Sequence, residues 1–302
     1  MTTAQTTSPV KQKRQLLADP AMTESTPGSE FAQAATLGSG TEDVTVTFRA
    51  YLPTAFPLFA DRPRYTVRQL MKMATIRDGN AHYIHEPRPE QDRREVSGTT
   101  FATSPEAQFK PMLGEAKLTD IGVALPVPPG LLDHPRLLAS FIDYRLLVRF
   151  GTTENQVLLH GSDDGSVPGL AGLPGSRVLR TEREPVDLLT DAAAMVEETG
   201  GSCDGIVAHN AVYWQAVESG LLGKLAEAGI RISRTRMIAR NQVLLGDFRA
   251  ATTFLDPEIS TLTLRRGAAE DGSDLLEASS RMGLAVHLPQ HMVLLSQEGA
   301  GT

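Results

Sequence analysis

Residues 133–161 read "DHPRLLASFIDYRLLVRFGTTENQVLLHG", and this stretch decides the fold. Its apolar positions recur at spacings of four, three and four residues, which is the period of an α-helix: Leu137, Phe141, Tyr144 and Val148, with Leu138 and Ile142 beside them. Asp133 is the expected N-cap, and Pro135 suits the first turn, where a missing N–H costs nothing. The sequence therefore predicts one long amphipathic helix that ends at His160–Gly161.

The segment after this helix, residues 160–169 ("HGSDDGSVPG"), contains residue types that also occur in active sites. One interpretation makes His160, Asp163 and Asp164 a metal site or part of a catalytic triad. The other makes them a turn, because Asp bonds to nearby backbone and Gly adopts positive φ. A histidine at a helix C-terminus also suits the helix dipole. The composition favours the turn, and an α+β enzyme that uses this loop is the remote alternative.

Motifs of other active sites are missing from the sequence. There is no Gly-x-Ser-x-Gly, no His-Glu-x-x-His, no Walker loop and no Gly-x-Gly-x-x-Gly between a strand and a helix. His82 and His85 lie three apart on a predicted strand and so point to opposite faces. Pro289 lies between His287 and His291, which argues against a rigid helical pair. We therefore predict no catalytic residue, no metal ligand and no cofactor.

Composition narrows the class of protein further. The chain has 302 residues, 41% hydrophobic and 22% charged, with a net charge of −7, so an anionic polymer would need a local basic patch. Cys203 is the only cysteine, which excludes an internal disulfide and a cysteine-based zinc site. No apolar run approaches the ~20 residues of a membrane helix. The N-terminus lacks the apolar region of a secretory signal. We expect a cytoplasmic protein that does not bind a membrane.

Residues 1–42 read as a flexible N-terminal arm, with a short helix around Lys11–Leu17. The first charges of this arm are all basic, and no acidic residue precedes Asp19: Lys11, Lys13 and Arg14. These three side chains either contact an anionic partner or lie in a solvated tail.

Residues 43–76 begin with "DVTVTFRA", whose alternation predicts a strand with one buried face. "YTVRQLMKMA" follows as a short helix or an edge strand. Residues 77–109 are densely charged, and their large apolar side chains are widely spaced. "HYIHE" and "EVSGTTFA" are the expected strands of a long protruding hairpin. Loops of this length are usually functional or disordered.

The remainder mixes helices and strands. A second helix is predicted from Pro185 to Gly200–Gly201, "DGIVAHN" as a buried strand, and "AVYWQAVESGLL" as a third helix. Five strands are expected near the end: "RMIAR", "QVLLGDF", "STLTLRR", "LAVHLP" and "HMVLLS". The order shows no βαβ rhythm, which predicts the α+β class.

The ordered set of segments from Arg64 to Ser296 resembles the major capsid proteins of tailed phages of the Hong Kong ninety-seven type. The helix and loop of residues 133–170 are similar to the signature segment of that family. "YTVRQLM", "HYIHEP" and "EVSGTTFATSPEAQFKP" resemble the strand and the extended loop (E-loop) that precede it. "DGIVAHNAVYWQAV" resembles its axial-domain step, "LLGDFRAATTFLDPEISTLTL" its strand pair, and "MGLAVHLPQHMVLLS" its closing strands.

The resemblance implies a fold with an axial domain, a peripheral domain with a long spine helix, an E-loop and an N-terminal arm. The implied boundaries are the arm over 1–42, the lead-in over 43–76, the E-loop over 77–109, the peripheral domain over 110–185, the mainly axial domain over 186–250, and return strands with a C-terminal tail over 251–302. E-loop contacts with a neighbouring subunit are expected at Arg88, Arg93, Arg94 and Phe101. Lys11, Lys13 and Arg14 are candidate lumen-facing residues of the arm.

The resemblance also implies self-assembly into an icosahedral container. Encapsulin nanocompartments, which enclose a cargo protein in the bacterial cytoplasm, and phage or prophage capsids, which enclose double-stranded DNA in a virion, share this fold. Only about sixty residues precede the matching region, and they lack the long charged coiled coil of a scaffolding segment. This favours the encapsulin-like alternative. The type member joins subunits through an E-loop lysine and an asparagine, whereas this sequence has no lysine between Glu86 and Phe109 and no asparagine after Asn241. We expect subunits without covalent links.

Overall fold

The computed structural model describes residues 26–37, 42–53, 66–77, 79–86 and 111–298, and the backbone of residues 13–14. The described α-helices are α1 (Pro27–Leu37), α2 (Val67–Leu70), α3 (Pro135–Phe141), α4 (Leu147–His160), α5 (Leu189–Glu197), α6 (Asn210–Glu218), α7 (Leu221–Glu227) and α8 (Phe248–Ala251). The described strands are β1 (Lys13–Arg14), β2 (Val44–Phe48), β3 (Lys72–Thr75), β4 (Asn80–His85), β5 (Met112–Lys117), β6 (Thr119–Pro126), β7 (Arg177–Thr181), β8 (Gly205–Ala208), β9 (Arg231–Arg234), β10 (Gln242–Gly246), β11 (Thr252–Asp256), β12 (Ser260–Arg265), β13 (Leu275–Val286) and β14 (Met292–Gln297).

The chain divides into two compact units. Unit A comprises Met1–Pro63, Asp120–Glu154 and Asp256–Arg281. Unit B comprises Arg64–Thr119, Asn155–Leu255 and Met282–Thr302. The peripheral and axial boundaries given by the resemblance stay predictions.

The long helix of residues 135–160 is confirmed, and it has a π-helical turn at Ile142–Leu146 between α3 and α4. Its start differs from the prediction. Asp133 ends a 3₁₀ turn that begins at Leu131, and His134 takes the N-cap position without a side-chain cap, whereas Pro135 is the first helical residue as predicted.

Of the six apolar positions predicted for this helix, Leu138 and Ile142 are fully buried, so only part of the predicted stripe is the buried face. Leu137, Tyr144 and Val148 are exposed. The fully buried side chains recur every four residues: Leu138, Ile142, Leu146 and Phe150. A four-residue step overshoots a 3.6-residue turn by about 40°. The wider π turn absorbs that overshoot and keeps these side chains on one face.

The prediction of a flexible arm is wrong for Pro27–Leu37, which form α1. Phe31 is fully buried there, and α1 packs on α3. At the contact, the backbone N–H of Gly28 donates to Oδ1 of Asp143 at 2.8 Å. Only a glycine allows this approach, because a Cβ at Gly28 would lie 2.2 Å from the carbonyl oxygen of Ala139. The predicted helix around residues 11–17 is wrong at Lys13–Arg14, whose backbone is a strand.

Unit A contains a sheet in the order β1, β2, β12 and the first part of β13, with β6 pairing to β13. β1 runs parallel to β2, and the β2–β12 and β12–β13 pairs are antiparallel. The register places Val46 opposite Leu262, and both side chains are buried. The strand predicted at residues 43–50 is confirmed, since Val46 and Phe48 alternate toward the core.

Unit B contains a five-stranded sheet in the order β7, β14, β10, β8 and β9. β10 is antiparallel to both neighbours, whereas the β7–β14 and β8–β9 pairs are parallel. Helices α5, α6 and α7 supply buried side chains to the same core, including Ala192, Val212 and Leu225. The β8–α6–α7–β9 succession is a βαβ unit, which the prediction of no βαβ rhythm missed.

Several other predictions were changed by the structure. "QVLLGDF", "STLTLRR" and "HMVLLS" contain the strands β10, β12 and β14, as predicted. "RMIAR" is a turn, and "LAVHLP" includes the end of the twelve-residue β13. The third helix splits into α6 and α7 at Gly220, whose φ is 71°. The second helix opens with a 3₁₀ turn at Pro185–Leu188. None of the described helices combines the length and apolar character that crossing a bilayer requires.

Candidate functional site

The 160–169 loop is held by one aspartate. Asp164 accepts hydrogen bonds from Oγ of Ser162 at 2.5 Å, from Oγ of Ser166 at 2.8 Å, from the N–H of Ser166 at 3.0 Å and from Oγ1 of Thr119 at 3.1 Å. Donors to the ionised form stabilise it. They hold the pKa of the Asp164 carboxyl well below its ordinary value, with the Ser162 hydroxyl as the largest cause. Asp164 is thus an ionised acceptor that fixes a turn.

His160 and Asp163 do not join Asp164 in an active site. Nε2 of His160 lies 2.6 Å from the carbonyl oxygen of Met237, so that nitrogen carries the proton and donates. Asp163 is exposed on the loop. Gly161 has φ 92°, which glycine adopts readily. The two serines of this loop donate to Asp164 rather than to the histidine, so no base activates them. The turn interpretation accounts for the hydrogen bonds that Asp164 accepts and for the positive φ of Gly161.

The other reactive groups have structural surroundings too. Burial raises the pKa of the Cys203 thiol to about 12, so the thiolate needed for nucleophilic attack does not form near neutral pH. Within the described part of the chain, no group of three or more His, Cys, Asp and Glu side chains is arranged to hold a metal ion. His82 and His85 alternate along β4, as predicted.

A two-stranded ribbon of unit B has an exposed apolar surface. β4 and β5 pair antiparallel, and Ile84 lies opposite Leu113. These two side chains are 62% and 77% exposed. An apolar cross-strand pair left in water is unfavourable, because each side chain gains free energy on burial. This face of the ribbon is a candidate contact surface.

The opposite face of the ribbon is anchored at the end of β13. Nδ1 of His85 donates to the carbonyl oxygen of Val286 at 2.7 Å, and Nδ1 of His287 donates to that of Ile84 at 2.9 Å. The rings of Tyr83 and His287 meet edge to face with centroids 5.3 Å apart. Oγ1 of Thr253 lies 2.9 Å from Nε2 of His287. These contacts hold the base of the ribbon in one orientation.

The structure describes few of the contact residues predicted from the sequence. Arg88, Arg93, Arg94 and Phe101, and Lys11 of the arm, lie outside the described residues, as does "EVSGTTFA". For Lys13 and Arg14 the structure describes only the backbone, which pairs with Thr47 and Phe48. Sequence reasoning missed the Ile84–Leu113 pair, although the alternation in "NAHYIH" marks one exposed face. The register that brings Leu113 opposite Ile84 has no local signal.

No family model matches this sequence, and no curated protein matches it. Solved structures do match. A virus-like particle from Pyrococcus furiosus has 11% identity over 79% of this chain and 95% of that chain, with a TM-score of 0.54. The capsid of a native GTA particle has 13% identity over 77% and 89%, with a TM-score of 0.52. A chain from Mycobacterium phage Adephagia has 15% identity over 90% and 98%, with a TM-score of 0.54.

These matches define the class of fold. The chain has the α+β fold found in capsids and virus-like particles, which is the phage-capsid-like fold predicted from the sequence.

Proposed function

We propose that this chain is a structural shell protein that self-assembles into a closed icosahedral container. The observation that carries the proposal is the fold, which is similar over most of the chain to the subunits of a virus-like particle and of a GTA capsid. A fold alone does not imply a function, so the proposal also relies on a surface suited to self-association. No catalytic activity and no cofactor form part of it.

The exposed ribbon supports self-association. Ile84 and Leu113 form an apolar pair on a narrow ribbon, and the histidine and tyrosine contacts fix its base. Burial of apolar surface contributes roughly 25 cal/mol per Å². Since every copy of a shell presents the same ribbon, even a modest gain per copy is repeated at every contact. A second copy of the chain is the occupant that a closed, symmetric assembly supplies.

The remaining contacts of the proposal come from the resemblance. Arg88, Arg93, Arg94 and Phe101 contact a neighbouring subunit through the E-loop. Lys11, Lys13 and Arg14 face the lumen.

We further propose that the container is an encapsulin-like nanocompartment that encloses a cargo protein in the cytoplasm. Helix α1 supports this choice. Phe31 is fully buried, and Gly28 bonds to a buried aspartate of the long helix. Removing residues 26–37 would expose this surface, so these residues act as a permanent part of the subunit rather than as a detachable segment. The alternative is a phage or prophage capsid that encloses double-stranded DNA, which the match to a chain from a mycobacteriophage favours.

Assembly is tested by a matched pair of variants on the ribbon. The purified 32.5 kDa chain should elute as a megadalton species and give round, hollow particles in negative-stain images. The double variant Ile84→Ser/Leu113→Ser should stay folded and lose assembly. His82→Ser on the same face removes no apolar surface and should assemble normally. Far-UV circular dichroism checks the folding of each variant. A wild-type chain that stays monomeric at several salt concentrations contradicts the shell proposal.

Expression of the gene alone separates the two kinds of container. An encapsulin-like chain closes into uniform shells without help. A phage capsid protein without its scaffold gives malformed sheets, tubes or particles of mixed size. Uniform shells together with a co-purifying protein support the nanocompartment, and malformed assemblies reverse the choice.

A further inference from the structure

The parallel strands β8 and β9 end side by side at one edge of the unit B sheet. They pair from Gly205 with Arg231 to Ala208 with Arg234, and the N–H of Thr235 donates to the carbonyl oxygen of Ala208 at 3.0 Å. The first turn of α6 begins at this edge, directly after β8. The carboxyl ends of parallel strands beside a helix N-terminus are where α/β units bind anionic ligands.

This edge is strongly basic although the whole chain is acidic. Residues 232–241, which form the end of β9 and the turn after it, contain three arginines and no acidic residue, in a protein with a net charge of −7. Arg236 and Arg240 are exposed, and Arg234 is half-buried. Within the part of the chain that the structure describes, none of these three forms an ion pair. Their positive charges are therefore available to a ligand.

Two aromatic rings lie beside the arginines. The guanidinium carbon of Arg234 is 4.5 Å from the ring centroid of Tyr213 and 5.7 Å from that of Trp214. The two rings meet edge to face with centroids 5.5 Å apart. Trp214 is nevertheless 59% exposed. The exposed part of the indole offers a surface on which a nucleic-acid base can stack.

The start of α6 lies at the same edge, directly after β8. His209 caps this helix, since its Nδ1 accepts from the N–H of Ala211 at 3.1 Å. The pKa of His209 is lowered, first by burial and then by the positive charge of Arg240. The positive end of the helix dipole adds to the same field.

We propose that this edge, formed by Arg234, Arg236, Arg240, Tyr213 and Trp214, binds single-stranded nucleic acid. Unpaired arginines beside an exposed aromatic ring suit phosphates joined to unstacked bases. An acidic protein segment would use the charges and leave the exposed part of the indole in water. In a duplex the bases are stacked on each other and give the ring nothing to contact. The total positive charge of the three available arginines exceeds the negative charge of one phosphodiester, which favours a polymer over a free nucleotide.

One acidic side chain opposes this binding. Glu218 lies four residues after Trp214 and so shares its face of α6. Glu218→Gln should tighten binding, because it removes a negative charge, and should leave the slope of binding against salt concentration almost unchanged. This site does not depend on shell assembly and goes beyond the proposed function.

Trp214 is the only tryptophan, so its fluorescence reports on this edge alone. The full chain is titrated with a dT twelve-mer, a duplex of the same length, AMP and poly-glutamate. The single strand should quench Trp214 and bind with a salt slope of about −2, because three phosphate contacts each contribute about 0.7, which weakens binding roughly 16-fold between 50 and 200 mM salt. Nucleic acid that co-purifies at low salt is quantified by its absorbance.

Variants assign the binding to named residues, with a labelled twelve-mer followed by fluorescence anisotropy. Arg236→Ala/Arg240→Ala should weaken binding about 25-fold at 0.1 M salt, because two phosphate contacts are lost. Trp214→Ala should weaken it roughly 5- to 140-fold through loss of base stacking. The control Lys224→Ala/Arg249→Ala removes two exposed cations elsewhere on unit B and should bind like the wild type.

The outcomes separate the alternatives. Quenching by the single strand that both edge variants weaken, while the control does not, supports the proposal. Equal binding of poly-glutamate overturns it in favour of an acidic protein segment. Equal binding of the duplex or of AMP overturns the single-strand assignment. Absence of both quenching and co-purified nucleic acid overturns the site altogether, and this result would leave a megadalton shell unaffected.

Discussion

Replacing Gly28 with alanine should loosen α1 from the long helix. The new Cβ would lie 2.2 Å from the carbonyl oxygen of Ala139 and 2.7 Å from Oδ1 of Asp143. Ordinary contact begins at 3.4 Å, so α1 would have to move by 3.4 − 2.2 = 1.2 Å. The atoms that the new Cβ would contact belong to the backbone of Ala139 and to the buried carboxylate of Asp143, and close packing leaves neither group room to move. The shift would stretch the 2.8 Å hydrogen bond from Gly28 to Asp143 beyond its normal range.

The size of the effect follows from three contributions. Overpacking costs about 1–3 kcal/mol. Leaving a buried acceptor without its donor costs about 1–3 kcal/mol. Alanine offsets up to about 1 kcal/mol, because it forms helix more readily than glycine. Mid-range values give a net loss of about 3 kcal/mol, which corresponds to a roughly 100-fold larger population of the detached helix.

Hydrogen exchange measures that population directly. Amides of α1 should exchange roughly 100-fold faster in Gly28→Ala. Amides of the unit B sheet should be unchanged. Gly223→Ala is the matched control, because Gly223 lies inside α7 with nothing within 4 Å of the added Cβ, and it should slow exchange there by a modest factor. If the α1 amides of Gly28→Ala exchange at the wild-type rate, the close packing of α1 on the long helix is refuted.

Three further predictions concern charge and cohesion. Burial raises the pKa of Asp143 above the ordinary 3.8. Folding therefore takes up a proton as the pH falls toward 3.8, so the thermal midpoint of the wild type should rise relative to that of Asp143→Asn as the pH is lowered. The pKa of Asp164 is lowered, so Asp164→Ala should reduce the thermal midpoint at neutral pH, and this difference should vanish as the pH falls below the ordinary 3.8. The exposed Asp163→Ala should leave the thermal midpoint unchanged. Equal midpoints for the two variants at neutral pH would contradict the turn described above. Boiled in detergent, assembled particles should run as one band near 32.5 kDa, and a ladder resistant to thiol reduction would reveal covalent links.

Local periodicity predicted the elements that a single stretch of chain determines. The alternation of Val44, Val46 and Phe48 gave β2, and the apolar positions after Pro135 gave the long helix. The buried face of that helix was predicted only in part, at Leu138 and Ile142, because a straight α-helix has no π turn and no residue pattern at Ile142–Leu146 indicates one. Helix α1 was missed because its weakly apolar sequence is stabilised by Phe31 and by a partner over a hundred residues away.

The candidate sites also differ in whether neighbouring residues or distant residues form them. The 160–169 turn was predictable because Asp, Ser and Gly form it from neighbouring residues. The Ile84–Leu113 pair depends on the register of two strands joined by residues 87–110. The basic edge was missed because Trp214 and Arg234 lie twenty residues apart and meet only through the parallel pairing of β8 and β9.

The distance along the chain between paired residues also sets when each part can form during synthesis. β2 pairs with β12, and the hydroxyls of Thr45 and Thr263 are 218 residues apart in sequence. A ribosome adding about 5–20 residues per second needs roughly 10–40 s to make that span. The β8–α6–α7–β9 unit, in contrast, closes within thirty residues. The unit A sheet therefore cannot close until β12 has left the ribosome, whereas the β8–α6–α7–β9 unit lies wholly before β12 in the chain and can fold first.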